Sequence, residues 1–184
     1  AKAGILIKDA EALEIAHSIT TIAFDKTGTL TEGKPSLSKL ITFDKTETEF
    51  LQILATIQNG SEHPLAKAVL EEASKRQVPY EHASSIKALP GRGLEAEIKG
   101  TKFILASKRV IQEMVLDDEL FLGTAQDREV LGETVSFLID ESERKIVGLV
   151  SFKDKIKESS RVTVQKLKSL GIKTLMLTGD NRGS

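Results

Sequence analysis

FDKTGTLTEGKP (residues 24–35) stands at the end of the short apolar run TIAF (residues 21–24) and opens with Asp25, Lys26, Thr27, Gly28 and Thr29. A β-branched and aromatic run bounded by Thr and Gly reads as a buried strand, with Asp25 at its carboxyl end. In open parallel α/β sheets functional groups collect beyond that end of the strands. The chain offers a second such place. SSRVTVQKLKSLGI (residues 159–172) reads as a helix closed by Gly171 at the C′ position. IKTLMLTGD (residues 172–180) reads as a fully apolar strand that stops at Thr178, Gly179 and Asp180.

Between these two strands the pattern changes. SLSKLITF, SSIKALP, LEAEIKG, TKFILAS, TVSFLID and KIVGLVSF carry β-branched or aromatic residues at period two. Lys99-Gly100 and Glu141 to Arg144 fall between consecutive runs and read as hairpin connections, so antiparallel pairing is expected. Two helices interrupt the strands. TETEFLQILATIQ puts Phe50, Leu51, Leu54 and Ile57 on one face, and HPLAKAVLEEASKR has Pro64 at a helix-start position. A further amphipathic helix, DAEALEIAHSI, precedes TIAF. The expected fold class is α/β. An incomplete parallel core of residues 1–34 and 151–184 is interrupted by an inserted α+β domain of residues 35–150, built on an antiparallel sheet.

Composition narrows the function classes. A formal net charge of −1 with no like-charge block argues against a nucleic-acid partner or a basic membrane-binding face. The absence of cysteine removes disulfides, thiolate nucleophiles and Cys-based metal sites. No apolar run is long enough for a membrane-spanning helix. The chain opens on Ala1 and closes on GDNRGS, which reads as an excised, monomeric piece of a longer protein with a cloning remnant at its end.

A carboxylate at a strand end can attack a phosphoryl group and become an aspartyl phosphate. That reaction needs charge neutralisation on the phosphoryl oxygens, a divalent ion and in-line placement. Lys26 and the backbone N–H groups of the Gly-Thr turn suit the first need. The Asp25 carboxylate and the Thr27 carbonyl offer hard oxygens to Mg²⁺. Two positions after Asp25, a second Asp would serve as general acid and base and let water discharge the acyl phosphate. Thr27 cannot, so the intermediate should persist. A lone Asp-x-Thr would read better as a turn acid after a strand; the seven-residue string DKTGTLT goes beyond that.

DKTGT resembles the phosphorylation signature of the P-type ATPases, ion pumps of the haloacid-dehalogenase-like superfamily, and SEHPL (residues 61–65) resembles the mark of their heavy-metal-transporting branch. GILIK and TGDN resemble flanking motifs of the same phosphorylation domain. The resemblance implies a haloacid-dehalogenase-like core with an inserted nucleotide-binding domain. It also implies ATP and Mg²⁺ as cofactors and transfer of the γ-phosphoryl group to Asp25, with Lys26, Thr27, Thr178, Gly179 and Asp180 around it. In the insert it assigns ATP contacts to His63, with Glu62 beside it, and to Gly91 and Gly93 of PGRGLEA. Gln58 and Ser107 stand where the family often has Glu and, within a Gly-Asn pair, Asn. Read without the resemblance, His63 is a helix-start residue and Gly-x-Gly a turn between strands.

The implied parent is a membrane pump for a soft metal ion, copper foremost, with this piece on the cytoplasmic face. Its remaining partners are an actuator domain and transmembrane helices. The pumps' later GDGxNDxP loop has no match here, so the resemblance implies ATP binding with weak or no turnover. Two other readings stay open: a soluble phosphatase with a large cap domain, which Thr27 and SEHPL count against, and a module that binds nucleotide without chemistry. The pump reading also implies hinges near Gly33 to Pro35 and near Val147 to Lys153.

Overall fold

The structure, a computed structural model, describes residues 10–116 and 118–177. In chain order its elements are α1 (Ala10–His17), β1 (Thr21–Asp25), β2 (Thr31–Thr42), α2 (Glu47–Gln58), α3 (Pro64–Lys75), β3 (Ser85–Leu89), β4 (Gly93–Ile98) and β5 (Thr101–Ala106). Then come α4 (Lys108–Glu113), α5 (Glu119–Val130), β6 (Thr134–Asp140), β7 (Lys145–Ile156), α6 (Glu158–Ser169) and β8 (Lys173–Leu177). The chain divides into two compact units: one runs through Gly33 and resumes at Ile156, the other is Lys34–Lys155.

In the first unit β1 and β8 pair in parallel, with Asp25 opposite Leu177, so the two strands end level. Helix α6 closes as expected. Gly171 takes φ +76°, Ile172 N–H bonds the Leu167 carbonyl and Gly171 N–H bonds that of Lys168, the bonding of a Schellman cap. One expectation needs correcting. Neither strand is fully buried: β1 alternates exposed and half-buried residues, and Leu177 is 59% exposed. Among the described residues this parallel sheet has two strands, too few to cover an apolar run on both faces.

The second unit is built on six strands in the order β2-β7-β6-β5-β4-β3. Alternation along the strands divides the core. Ala96, Phe103, Leu105, Leu138, Val150 and Phe152 pack with α2 and α3, while Ile104, Phe137, Ile139, Ile146 and Leu149 pack with α4 and α5. One bulge interrupts the pairing of β6 with β7, where Leu138 faces Gly148 but Ile139 faces Ile146. There a Cβ on Gly148 would come within 2.8 Å of the Phe50 ring and 2.7 Å of the Ile41 carbonyl oxygen. The bulge therefore presses backbone against the α2 side, and glycine is the residue that fits.

Local chemistry explains several boundaries. Thr46 and Glu49 form a capping box at the start of α2. Glu49 N–H donates to Thr46 Oγ1, and the Glu49 carboxylate accepts from the Thr46 N–H at 2.8 Å. The Thr46 backbone N–H, followed by its hydroxyl, holds the Glu49 carboxyl below its ordinary range. This contribution to stability is present above the unfolded-state pKa and is lost as pH falls through the lowered folded one. Lys99 (φ +50°) and Gly100 (φ +83°) link Ile98 to its partner Thr101 in a two-residue hairpin. Arg144 (φ +50°) closes the four-residue loop between the paired Asp140 and Lys145. Pro35 lies inside β2, an edge strand, where a missing N–H costs the sheet least.

Two helices lie outside the sequence expectation. In α5 only Phe121 and Ala125 are buried, while Leu120 and Val130 face solvent, so no apolar stripe announces it. Beyond α4, Val115 is 81% exposed and holds φ +54°, a left-handed conformation that a β-branched residue adopts only under strain. Replacing it with Gly should stabilise the fold by about 1 kcal/mol and raise the melting temperature by about 2–4 °C, read by calorimetry. An unchanged or lower midpoint would show that no strain is stored there.

Candidate active site

Asp25 ends β1 with an extended backbone (φ −69°, ψ 139°) and an exposed side chain. The chain then turns through Lys26–Leu30, where Gly28 takes φ +77°. Thr31, 4% exposed, organises this turn from within the motif itself. Its Oγ1 accepts from the Gly28 N–H at 3.1 Å and donates to the Lys26 carbonyl at 3.1 Å, and its own N–H bonds that same carbonyl.

Further anchors come from the start of α6. Lys157 Nζ donates to the Gly28 carbonyl at 2.6 Å, and the Leu30 carbonyl accepts from the Lys157 N–H at 3.0 Å and from Ser160 Oγ at 2.9 Å. Sequence reasoning named Asp25, Lys26 and Thr27 and missed Thr31, Lys157 and Ser160. Thr31 was visible as the last residue of DKTGTLT. Lys157 and Ser160 carried no local signal. Thr178, Gly179 and Asp180 lie outside the described residues.

In the second unit the expected ATP contacts form two groups, and no hydrogen bond or ion pair among the described residues joins them. The first lies where α2 gives way to α3. His63 is the N-cap of α3: its Nδ1 accepts from the Leu65 N–H at 3.2 Å. In the neutral ring that bond leaves the proton on Nε2, available as an outward donor, since the residue is exposed. The helix-start role and a ligand role are therefore compatible. Glu62 is exposed beside it. Gln58 is different. It is 4% exposed at the end of α2, and its amide nitrogen is buried with no hydrogen-bond partner, a condition costing about 1–3 kcal/mol.

The second group is the β3–β4 turn and the end of β5. Pro90 and Gly91 occupy the centre of a turn closed by the Arg92 N–H on the Leu89 carbonyl at 2.9 Å, with Gly91 at φ +69° and open space around it. Gly93 sits at φ +124°, and a Cβ there would fall 2.0 Å from the Leu105 carbonyl oxygen. Gly93 thus has a structural reason to be glycine, and Gly91 has room for an approaching ligand. Gly93 pairs with Ala106, which brings Ser107 alongside. Ser107 is the N-cap of α4, yet its exposed hydroxyl makes no capping bond.

Asp25 is the one described carboxylate in the turn, and no group of three or more His, Cys, Asp or Glu that would form a metal site occurs among the described residues. A cation that takes one or two carboxylates and completes its shell with water and phosphate oxygens fits this sparse donor set; a dedicated protein cage does not.

Comparison with known proteins places this geometry. Residues 19–184 match the haloacid dehalogenase-like hydrolases. The chain is 39% identical over 183 residues to the copper-exporting P-type ATPase B of Archaeoglobus fulgidus, covering 99% of this chain and 26% of that one. It is 35% identical over 192 residues to a cadmium-transporting ATPase of Staphylococcus aureus, covering 100% of this chain and 26% of that one. Among solved structures it is similar to a zinc-transporting PIB-type ATPase in its E2.Pi state, with a TM-score of 0.65, 31% identity, and coverage of 89% and 26% of the two chains. The chain thus spans about a quarter of the length of these relatives. With a strand-end Asp25, the turn held behind it and an antiparallel insert, the chain is similar over nearly its whole length to part of the heavy-metal-transporting P-type ATPases, and it belongs to the haloacid dehalogenase-like hydrolases.

Proposed function

We propose that the chain binds ATP through residues 35–150 and accepts the γ-phosphoryl group on Asp25, as the phosphorylated part of a pump that moves a soft metal ion. The domain assignment is residues 1–34 with 151–184 for phosphorylation and 35–150 for nucleotide. The relatives carry copper, cadmium and zinc in their names. Copper is our reading for the parent, on the 39% identity with a copper exporter. The observation that carries the proposal is Asp25 itself: an exposed carboxylate at the end of β1, followed by a turn whose carbonyls at Lys26, Gly28 and Leu30 are held by donors.

In the step we infer, an Asp25 carboxylate oxygen forms a bond to the γ-phosphorus while the bond from that phosphorus to the β–γ bridging oxygen breaks, and ADP leaves with the electron pair. Lys26 and the N–H groups of the turn neutralise the phosphoryl oxygens, with Thr178, Gly179 and Asp180 assigned beside them. Mg²⁺, held by the Asp25 carboxylate and the Thr27 carbonyl, would supply charge neutralisation on the phosphates. Thr27 has no carboxyl with which to activate water, so the acyl phosphate outlives the step. His63 Nε2–H, the Gln58 amide, Glu62, Gly91, Gly93 and Ser107 form the ATP site. Approach of the γ-phosphoryl group to Asp25 would use a hinge near Gly33 to Pro35; the second expected hinge, Val147 to Lys153, falls in the buried stretch of β7 that pairs with β6 and is held by the sheet.

Titration calorimetry with ATP tests the binding part. His63→Asn keeps a good N-cap while removing the outward imidazole donor, and Gly91→Asp places a carboxylate in open space. Each should weaken ATP binding about tenfold, roughly 1.4 kcal/mol, with His63→Asn leaving the melting temperature nearly unchanged. Binding indifferent to both changes would remove the nucleotide from this unit, and a fall in stability matching the loss of affinity would reduce His63 to its capping role.

A further inference from the structure

Three carbonyls of the turn behind Asp25 are held: Lys26 by Thr31, Gly28 by Lys157 Nζ at 2.6 Å, and Leu30 by the Lys157 N–H and Ser160 Oγ. A peptide group is rigid, so fixing a carbonyl also fixes the direction of the N–H across the same bond. Lys157 thereby sets the plane of the Gly28–Thr29 peptide. Thr31 sets the Lys26–Thr27 plane and, by accepting from the Gly28 N–H, the Thr27–Gly28 plane as well.

Lys157 differs from Thr31 in its distance along the chain, and from Ser160, which holds Leu30, in reaching the Gly28 carbonyl. Thr31 is three residues from Gly28 and folds onto the turn by local geometry, whereas Lys157 is 129 residues away. Its ammonium makes a charge-assisted bond, and its long side chain surrenders rotamer freedom to do so. Glycine at position 28 has the widest backbone freedom in the turn, so this is where an external restraint matters most.

We propose that Lys157 is a positioning residue for phosphoryl transfer: by holding the Gly28 carbonyl it keeps the backbone donors of the 26–30 turn in the arrangement that receives the phosphoryl oxygens at Asp25. The inference rests on the reading of Asp25 as the phosphoryl acceptor. Preorganised backbone donors stabilise developing charge without reorganising during the reaction, so a turn that must be ordered first reacts more slowly even when ATP is fully bound. Lys157 contributes to the rate and not to nucleotide affinity.

The test compares the intact chain with Lys157→Met, which removes donor and charge, and Lys157→Arg, which keeps both. Two quantities are read: hydrogen exchange at the amides of residues 27–31, and the single-turnover rate of label transfer from γ-labelled ATP to Asp25 at saturating ATP. Lys157→Met should exchange about tenfold faster in the turn, with β4 and β5 unchanged, and label about tenfold more slowly at the same ATP dissociation constant. Lys157→Arg should return both to within about threefold of the original. Unchanged exchange in Lys157→Met overturns the proposal, because the turn is then held by other means. Faster exchange with an unchanged labelling rate overturns it too, leaving Lys157 a purely structural tie. An intact chain that takes no label at all overturns the reading of Asp25, and with it any role of Lys157 in transfer; the exchange comparison needs no nucleotide and still decides whether Lys157 holds the turn.

Discussion

Asp25→Asn should abolish the acid-stable label that the proposed transfer from γ-labelled ATP places on the intact chain, and it should leave the melting temperature within about 1 °C of the original. Both halves follow from position. The amide nitrogen and oxygen of Asn present no anionic oxygen to phosphorus, so the acyl phosphate cannot form. The Asp25 side chain is exposed and makes no hydrogen bond or ion pair among the described residues, so the fold does not depend on its charge. Label that survives in the variant would identify a different nucleophile. An unlabelled intact chain that still binds ATP would favour the reading of a nucleotide module without chemistry.

Gly93→Ala should destabilise the second unit by about 3–5 kcal/mol, against about 1 kcal/mol for Gly91→Ala, both read by denaturant unfolding. The glycines are two residues apart in PGRGLEA, and each has a positive φ. The difference is the neighbour. A Cβ at position 93 meets the Leu105 carbonyl oxygen at 2.0 Å, and that oxygen belongs to the β5 backbone, which cannot move without losing its pairing with β4. At position 91 a Cβ meets nothing within 4 Å. A loss of 3–5 kcal/mol is a large share of the stability of an ordinary domain, so Gly93→Ala should also lower the yield of folded chain. Equal costs at the two positions would mean that β4 and β5 can separate at that point.

The antiparallel insert was legible because its signals are local. Alternating apolar residues, the Lys99-Gly100 hairpin and Pro64 at the start of α3 each act over a few residues, and the structure carries all three. Helix α5 escaped notice because its exposed Leu120 and Val130 cancel the stripe made by Phe121 and Ala125. The apolar runs at TIAF and KTLML correctly announced strands, but run composition cannot count the neighbours available to bury them; in the described residues those neighbours are few.

The same division holds at the candidate site. DKTGTLT placed Asp25 at the end of a strand, put a threonine and not a second acid two positions after it, and already contained Thr31, which closes the turn three residues from Gly28. These features depend on backbone geometry and hydrogen bonds within one short segment, so the order of residues suffices to specify them. The Lys157 bond to Gly28, the carbonyl that forbids a side chain at Gly93 and the burial of the Gln58 amide depend on which distant segments meet. No local pattern encodes such meetings, because each arises from the packing of elements whose separate propensities say nothing about their partners. That is why the strand-end position of Asp25 could be read from the chain and the supports of the turn behind it emerged from the fold.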